Sequence, residues 1–239
     1  MLRGFQIVCT FAALAASGQL AVAQQTPSAP PAPQARFVVV LDAAHGGDDP
    51  GGRLNNQPEK DVTLALSVRL RSLLSARAIP VFTTRESDAA VNLNRRAEIA
   101  NRANAQACLS LHASQSGAGV HLIVSSLAPA QPARFVPWKT AQAAWVTRSL
   151  ALAGVLNSAL LHAGFNVTLG RAALPALDSL ACPAVAVEIA PEIASGRDSG
   201  HAPSASLDDP GYQARVAGAL AAALLEWRTD AWRMEAARP

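Results

Sequence analysis

The sequence predicts an α/β fold, a three-layer sandwich with a central, largely parallel sheet flanked by helices. Three observations carry it. Short apolar runs alternate with segments of helical periodicity along the chain. The runs are apolar at consecutive positions, as in Val38-Val39-Val40-Leu41 and Ala184-Val185-Ala186-Val187, the pattern of strands covered on both faces. Several runs lead into a histidine or a glutamate, and in open α/β sheets sites gather beyond the carboxyl ends of the strands.

The elements follow in order. "RFVVVLDA" is the first strand. "EKDVTLALSVRLRSLLSARA" is a helix, because Val62, Leu66, Leu70, Leu73 and Leu74 recur at helical spacing, and Pro58 before it suits a helix start. "IPVFTTR" is a second strand and "LNRRAEIANRAN" a second helix. "ACLSLHAS" is a third strand and "GVHLIVSS" a fourth. "PAQPARFVP" is a loop. "WKTAQAAWVTRSLALAGVLNSALLHAG" reads as one long helix stopped by Gly164. A short extended piece follows near Val167 to Leu169, then the strand "PAVAVEIA" and a closing helix, "GYQARVAGALAAALLEW".

The ends of the chain read differently. Arg3, the apolar "FQIVCTFAALAA" and the small-x-small Ala21-Val22-Ala23 form the pattern of a signal peptide over residues 1–23. The apolar run is short for a membrane span, so no stable span is expected after cleavage. Residues 24–35 are proline-rich, without apolar period, and read as an extended linker. The folded domain is expected over residues 36–230, with a C-terminal tail at 231–239. The protein is therefore expected to be exported, periplasmic or extracellular.

Composition bounds the chemistry. Of 239 residues, 50% are hydrophobic, enough for a substantial core. The formal net charge is only +3 and no dense basic patch is interleaved with aromatics, which argues against a nucleic-acid partner. Of three cysteines only Cys108 and Cys182 follow the leader. No CxxC metal motif is present, so any metal must be held by histidine and carboxylate. The sequence leaves open whether the two cysteines pair.

His45, His112 and Glu188 each follow an apolar run, and Glu59 opens the first helix after a loop able to fold back over the first strand's end. The four can meet in one crevice. Two neutral imidazoles and a carboxylate are a known catalytic zinc set with a fourth position open for water. Asp42, three positions before His45, is either an orienting partner for a ligand or a turn-stabilising aspartate. Arg85 with Asp88 and Arg96 with Asn101 read as structural pairs rather than catalytic groups. His121 reads as a rim residue, His162 and His201 as bystanders, and Glu192 as a rival acid to Glu188.

"VVLDAAHGGDDPGG", "EKDVTLALSVRLRSLL", "TTRESD", "LNRRAEIAN", "LSLHAS" and "PAVAVEI", in that order, resemble the zinc-dependent N-acetylmuramoyl-L-alanine amidases of bacterial cell-wall turnover. The resemblance spans about Phe37 to Glu226. It implies Zn²⁺ held by His45, Glu59 and His112, with Glu188 as the acid acting on water. It implies peptidoglycan (muramoyl-peptide) as substrate and cleavage between the lactyl group of N-acetylmuramic acid and L-alanine. The sequence departs from the family at the rim: Ala43-Ala44 replace Pro-Gly, Ser114 replaces Asn, and Ala190-Pro191-Glu192 follow Glu188. Some members of the family carry an inserted helix that plugs the site; the segment before Trp138 is short and proline-rich, so no plug is expected here. A catalytically silent wall-binding domain and a zinc peptidase for ordinary peptides are the alternatives. Any protein activator is left undefined.

Overall fold

The computed structural model describes residues 36–55, 57–131, 137–193 and 203–236. The expected leader, the linker and most of the loop before Trp138 lie outside them. The elements are β1 (Val39–Ala43), β2 (Arg53–Leu54), β3 (Gln57–Pro58), α1 (Glu59–Ser75), β4 (Val81–Thr83), α2 (Leu93–Arg102), β5 (Ala107–Ala113) and β6 (Val120–Ser125). A 3₁₀ segment (Trp138–Ala144) follows, then α3 (Val146–His162), β7 (Val167–Ala172), α4 (Pro175–Asp178), β8 (Ala184–Ile189), β9 (Glu192–Ile193), β10 (Pro203–Ala205) and α5 (Pro210–Ala236).

The main sheet has the order β4-β1-β5-β8-β6-β7. Four of its five pairings are parallel, and β6 runs antiparallel to β8. Strand alternation divides the core into two layers. Val39, Leu41, Leu109, Leu111, Val185 and Val187 face α1, α3 and α5 in the larger cluster. Val40, Cys108 and Ala184 face the other way, against Ala97 and Ala100 of α2 and Leu177 and Leu180 around α4. By the same alternation Asp42, Ser110, His112 and Glu188 belong to this second, thinner side.

The structure adds the short elements β2, β3, α4, β9 and β10 to the sequence reading, and α5 continues to Ala236, into the expected tail; two further differences concern longer elements. The long helix over residues 138–164 is broken: the 3₁₀ segment and α3 meet at 66°, with Thr140 outside helical dihedrals. The reason is a buried polar anchor. Gln142 Nε2 donates to the carbonyls of Leu180 and Cys182 at 2.8 and 3.0 Å, and Ser149 Oγ donates to its Oε1 at 2.5 Å. The anchor ties the segment to the start of β8 while Leu152, Leu156 and Leu160 face the sheet, and one straight helix cannot do both. Apolar period records the second demand and not the first. The extended piece after Gly164 is also longer than expected, forming the edge strand β7. Among the described residues no single helix is long and apolar enough to cross a membrane.

Cys108 of β5 and Cys182, just before β8, form a disulfide closing a separation of 74 residues. It ties two neighbouring strands at the end opposite His112 and Glu188. A crosslink over so long a loop restricts the unfolded chain. Replacing both cysteines by alanine should lower unfolding free energy by about 2–4 kcal/mol in urea titrations, with the native fold retained. An unchanged midpoint and slope would contradict this.

Candidate metal centre

β1 delivers its chain end into a tight turn. His45 has φ of 61°, a left-handed conformation uncommon for a residue with a side chain, and Gly46 and Gly47 follow at 127° and 60°. Holding a non-glycine residue there costs roughly 1–3 kcal/mol, so the surroundings must over-determine it. Two buried arginines do so. Arg96 donates from Nη1 to the Ala43 carbonyl at 2.6 Å and from Nη2 to the His45 carbonyl at 2.5 Å. Arg85 donates from Nε to the Ala43 carbonyl and from Nη2 to the Ala44 carbonyl, both at 2.9 Å. Lys60 and Asp88 pair at 2.7 Å and bind the carbonyl and amide of Gly47 from outside.

Glu59 arrives as the first residue of α1, its amide donating to the Gly52 carbonyl at 2.8 Å. The β2–β3 hairpin brings the helix start back over the end of β1. Glu59 Oε1 accepts from the Ala113 amide at 3.1 Å and lies 3.0 Å from His112 Nδ1. Oε2 accepts from the Gly52 amide at 2.9 Å and lies 3.1 Å from His45 Nε2. Burial raises the carboxyl pKa, but His112 and the two amides outweigh it and lower it from 4.5 to about 2.

The ligand atoms of His45, Glu59 and His112 lie within 4.8 Å of one another. Atoms about 2.0–2.1 Å from one tetrahedral zinc stand roughly 3.3 Å apart; His45 Nε2 and His112 Nδ1 stand 3.1 and 3.0 Å from different oxygens of the same Glu59 carboxylate, so each imidazole sits at a co-ligand's distance from it. The donor set therefore fits a cation of that kind. A cleft of about 570 Å³ opens beside it, walled by Val91, Leu93 and Ala176 and reaching His45, Asp49 and His112. Gly51 closes the approach: at φ 68° its Cα lies so near that a Cβ would stand 2.5 Å from His45 Cδ2 and 2.8 Å from Glu59 Oε2. Sequence reasoning missed Gly51; the signal was the double glycine "PGG".

The remaining sequence candidates fall into place unevenly. Glu188 pairs in register with His112 on one side and, because β6 is reversed, with His121 on the other. Its carboxylate is half-buried and has no hydrogen bond or ion pair among the described residues. His121 therefore belongs to the row His112–Glu188–His121, its Nδ1 lying 2.5 Å from Thr168 Oγ1. Ser114 lies past the strand end and accepts from the Ser116 amide at 3.0 Å. Asp42 is not beside the His45 ring. It accepts from Arg96, Thr84 and Ser110 at 2.6, 2.7 and 2.8 Å, deeper in the sheet. The partner of His45 Nδ1 is Asp49, at 2.8 Å. Hydrogen bonds from His45 and the Gly51 amide hold the Asp49 carboxyl below its usual range. The structural pairings also differ from expectation: Asp88 bonds Lys60, and Asn101 bonds Ser179 and Ala181. Glu192 pairs with Arg215.

A largely parallel sheet whose strand ends gather two imidazoles and a helix-start carboxylate defines an α/β domain with a candidate metal centre. Residues 39–226 match the family model of N-acetylmuramoyl-L-alanine amidase, and the chain belongs to that family. AmiA of Escherichia coli (strain K12) is 44% identical over 78 residues, 32% of this chain and 27% of that protein. The chain spans about a third of the length of the curated relatives it matches. The fold matches the catalytic domain of CwlV, an N-acetylmuramoyl-L-alanine amidase from Bacillus (Paenibacillus) polymyxa var. colistinus, with a TM-score of 0.63 and 24% identity over 81% of this chain and 98% of that one. AmiC2 of Nostoc punctiforme gives 0.61 and 25%, over 81% and 97%.

The depressed Glu59 carboxyl has a testable sign. With a folded pKa of about 2 against an ordinary 4.5, its stabilising contribution is complete above the ordinary value and lost as pH falls toward the folded one. Urea unfolding of metal-free protein should therefore show a gap between parent and Glu59→Gln that narrows as pH drops through that window. A gap independent of pH would contradict it.

Proposed function

We propose that this chain hydrolyses the amide between the lactyl group of N-acetylmuramic acid and the L-alanine of the peptidoglycan stem peptide, using zinc held by His45, Glu59 and His112. The observation that carries the reading is the convergence of those three donors, in a chain of this family, beside an open cleft. Zinc at such a site supplies Lewis-acid polarisation of a carbonyl and brings the pKa of water down to about 7. The chain's own residues do the rest. His45 and His112 contribute neutral imidazoles and Glu59 one negative charge, leaving the site net positive and open on the cleft side. Glu188, in register with His112 and without a competing partner among the described residues, takes the proton of the attacking water and returns it to the amide nitrogen. The C–N bond breaks as a C–O bond forms, giving a lactyl carboxylate and a free L-alanine amine. A positioned general base of this kind is worth about 10²–10⁴-fold.

The reading also places the protein outside the cytoplasm, with residues 1–23 as a leader, 24–35 as a tether and 36–230 as the catalytic domain. The Cys108–Cys182 disulfide supports an oxidising compartment.

Digestion of purified peptidoglycan, with mass analysis of the products, tests the reaction. The expected products are stem peptides with a free L-alanine amine and uncut glycan, and chelator should abolish them. Fragments cut within the stem peptide would indicate a peptidase, and binding without release would indicate a silent wall-binding domain. His45→Ala and His112→Ala should each lose zinc and activity together. Glu188→Gln should keep zinc and melting temperature yet lose about 10²-fold or more in turnover. Near-normal turnover of Glu188→Gln would remove Glu188 from the role.

A further inference from the structure

We propose that Asp49 is the positioning residue of this centre: it holds the His45 ring through Nδ1–H, so that Nε2 is the nitrogen turned toward the cation. The proposal rests on the reading of His45 as a ligand and adds the residue that fixes which of its two nitrogens serves.

A neutral imidazole has one N–H and one bare nitrogen, and the group bonded to the N–H decides which is which. Asp49 Oδ2 lies 2.8 Å from His45 Nδ1, and the opposite ring nitrogen, Nε2, faces Glu59 Oε2 at 3.1 Å. Both oxygens of Asp49 are engaged, since Oδ1 accepts from the Gly51 amide at 3.0 Å. Asp49 thus joins the ring to Gly51, the residue packed against the ring's Cδ2 edge. Its backbone is fixed as well: Gly46 N donates to the Asp49 carbonyl at 2.9 Å and Asp49 N to the Gly46 carbonyl at 3.3 Å. The ring is therefore held at one nitrogen, along one edge and through its strained backbone, with only Nε2 left to the site.

His112 is built differently. Its Nδ1 faces Glu59, and among the described residues its Nε2 has no hydrogen-bonding partner. His45 thus has a carboxylate from outside the ligand set behind it and, among the described residues, His112 does not. Nor does stability account for Asp49. Its side chain is 66% exposed, where an ion pair contributes little. A simple turn former would need one oxygen for the Gly51 amide, and the second oxygen is committed to the ring.

That difference supplies the test. Asp49→Asn has one oxygen for two donors, so it can serve the Gly51 turn but not also the ring. Asp49→Ala loses both. Zinc affinity of the full chain, measured by competition with a chelator, should fall by about 10–100-fold in each variant, the usual cost of losing a carboxylate behind a ligating histidine. The melting temperature of metal-free Asp49→Asn should stay at the parent value. Nitrogen-15 NMR of the zinc-loaded parent should show the His45 ring protonated at Nδ1 and bound to the metal through Nε2, and in Asp49→Asn the Nδ1 proton should exchange faster with water. Adding Asp49→Asn to His45→Ala should produce no further loss of zinc. Parent-like affinity in Asp49→Asn, or a zinc-loaded parent whose His45 ring is protonated at Nε2, overturns the proposal. If His45→Ala itself binds zinc like the parent, the ligand reading beneath it fails. If His45→Ala loses zinc and Asp49→Asn does not, only the role of Asp49 fails.

Discussion

The carboxylate of Glu59 is the interaction on which the rest depends. It is nearly buried, and a buried charge is costly unless it is paired and hydrogen-bonded. Here four groups meet it: the amides of Gly52 and Ala113 and the imidazoles of His45 and His112. They come from the hairpin loop, the end of β5 and the turn after β1. One side chain at one helix start therefore sets the distance between the loop after β1 and the end of β5, more than fifty residues on. The amides satisfy two lone pairs permanently. Each imidazole nitrogen faces its own carboxylate oxygen across a gap that a proton or a cation must bridge, and the donor set suits a cation.

Beneath that carboxylate lies a rigid floor. Arg85 and Arg96 are 4% and 6% exposed and spend their donors on the carbonyls of Ala43, Ala44 and His45. Guanidinium suits this task because its planar fork presents several donors at once. Asp42 balances one of the two charges and, through Ser110, joins β1 to β5. The left-handed His45 is thereby held from below by arginine and at its ring by Asp49. Strand parity explains why these groups share one side: Asp42, Ser110, His112 and Glu188 all alternate away from the thick apolar layer.

Much of this was legible in the sequence, for a physical reason. Apolar runs and helical periods record burial, and burial fixed the strands, the helices and the meeting of strand-end residues in one crevice. His45, His112 and Glu59 could be found because each sits where such a pattern stops. What stayed hidden depends on direction and contact, which leave no periodic trace. The reversal of β6 puts His121 opposite Glu188, and no local pattern announces it. The Gln142 anchor bends a segment whose periodicity is helical throughout. Asp42 and Asp49 are both aspartates near His45 in sequence, and only the fold of the turn shows which one meets the ring. The pairing of Cys108 with Cys182 follows from β5 and β8 being neighbours, a fact of sheet order rather than of spacing.

The central claim is that the fold assembles a cation site from two imidazoles and one carboxylate, with no part for sulfur. X-ray absorption spectroscopy at the zinc edge, on the intact chain loaded with one equivalent, tests it most directly. The account predicts nitrogen and oxygen scatterers at about 2.0–2.1 Å with the outer-shell signature of two imidazoles. A sulfur shell at about 2.3 Å, or a spectrum with fewer than two imidazoles, would contradict it.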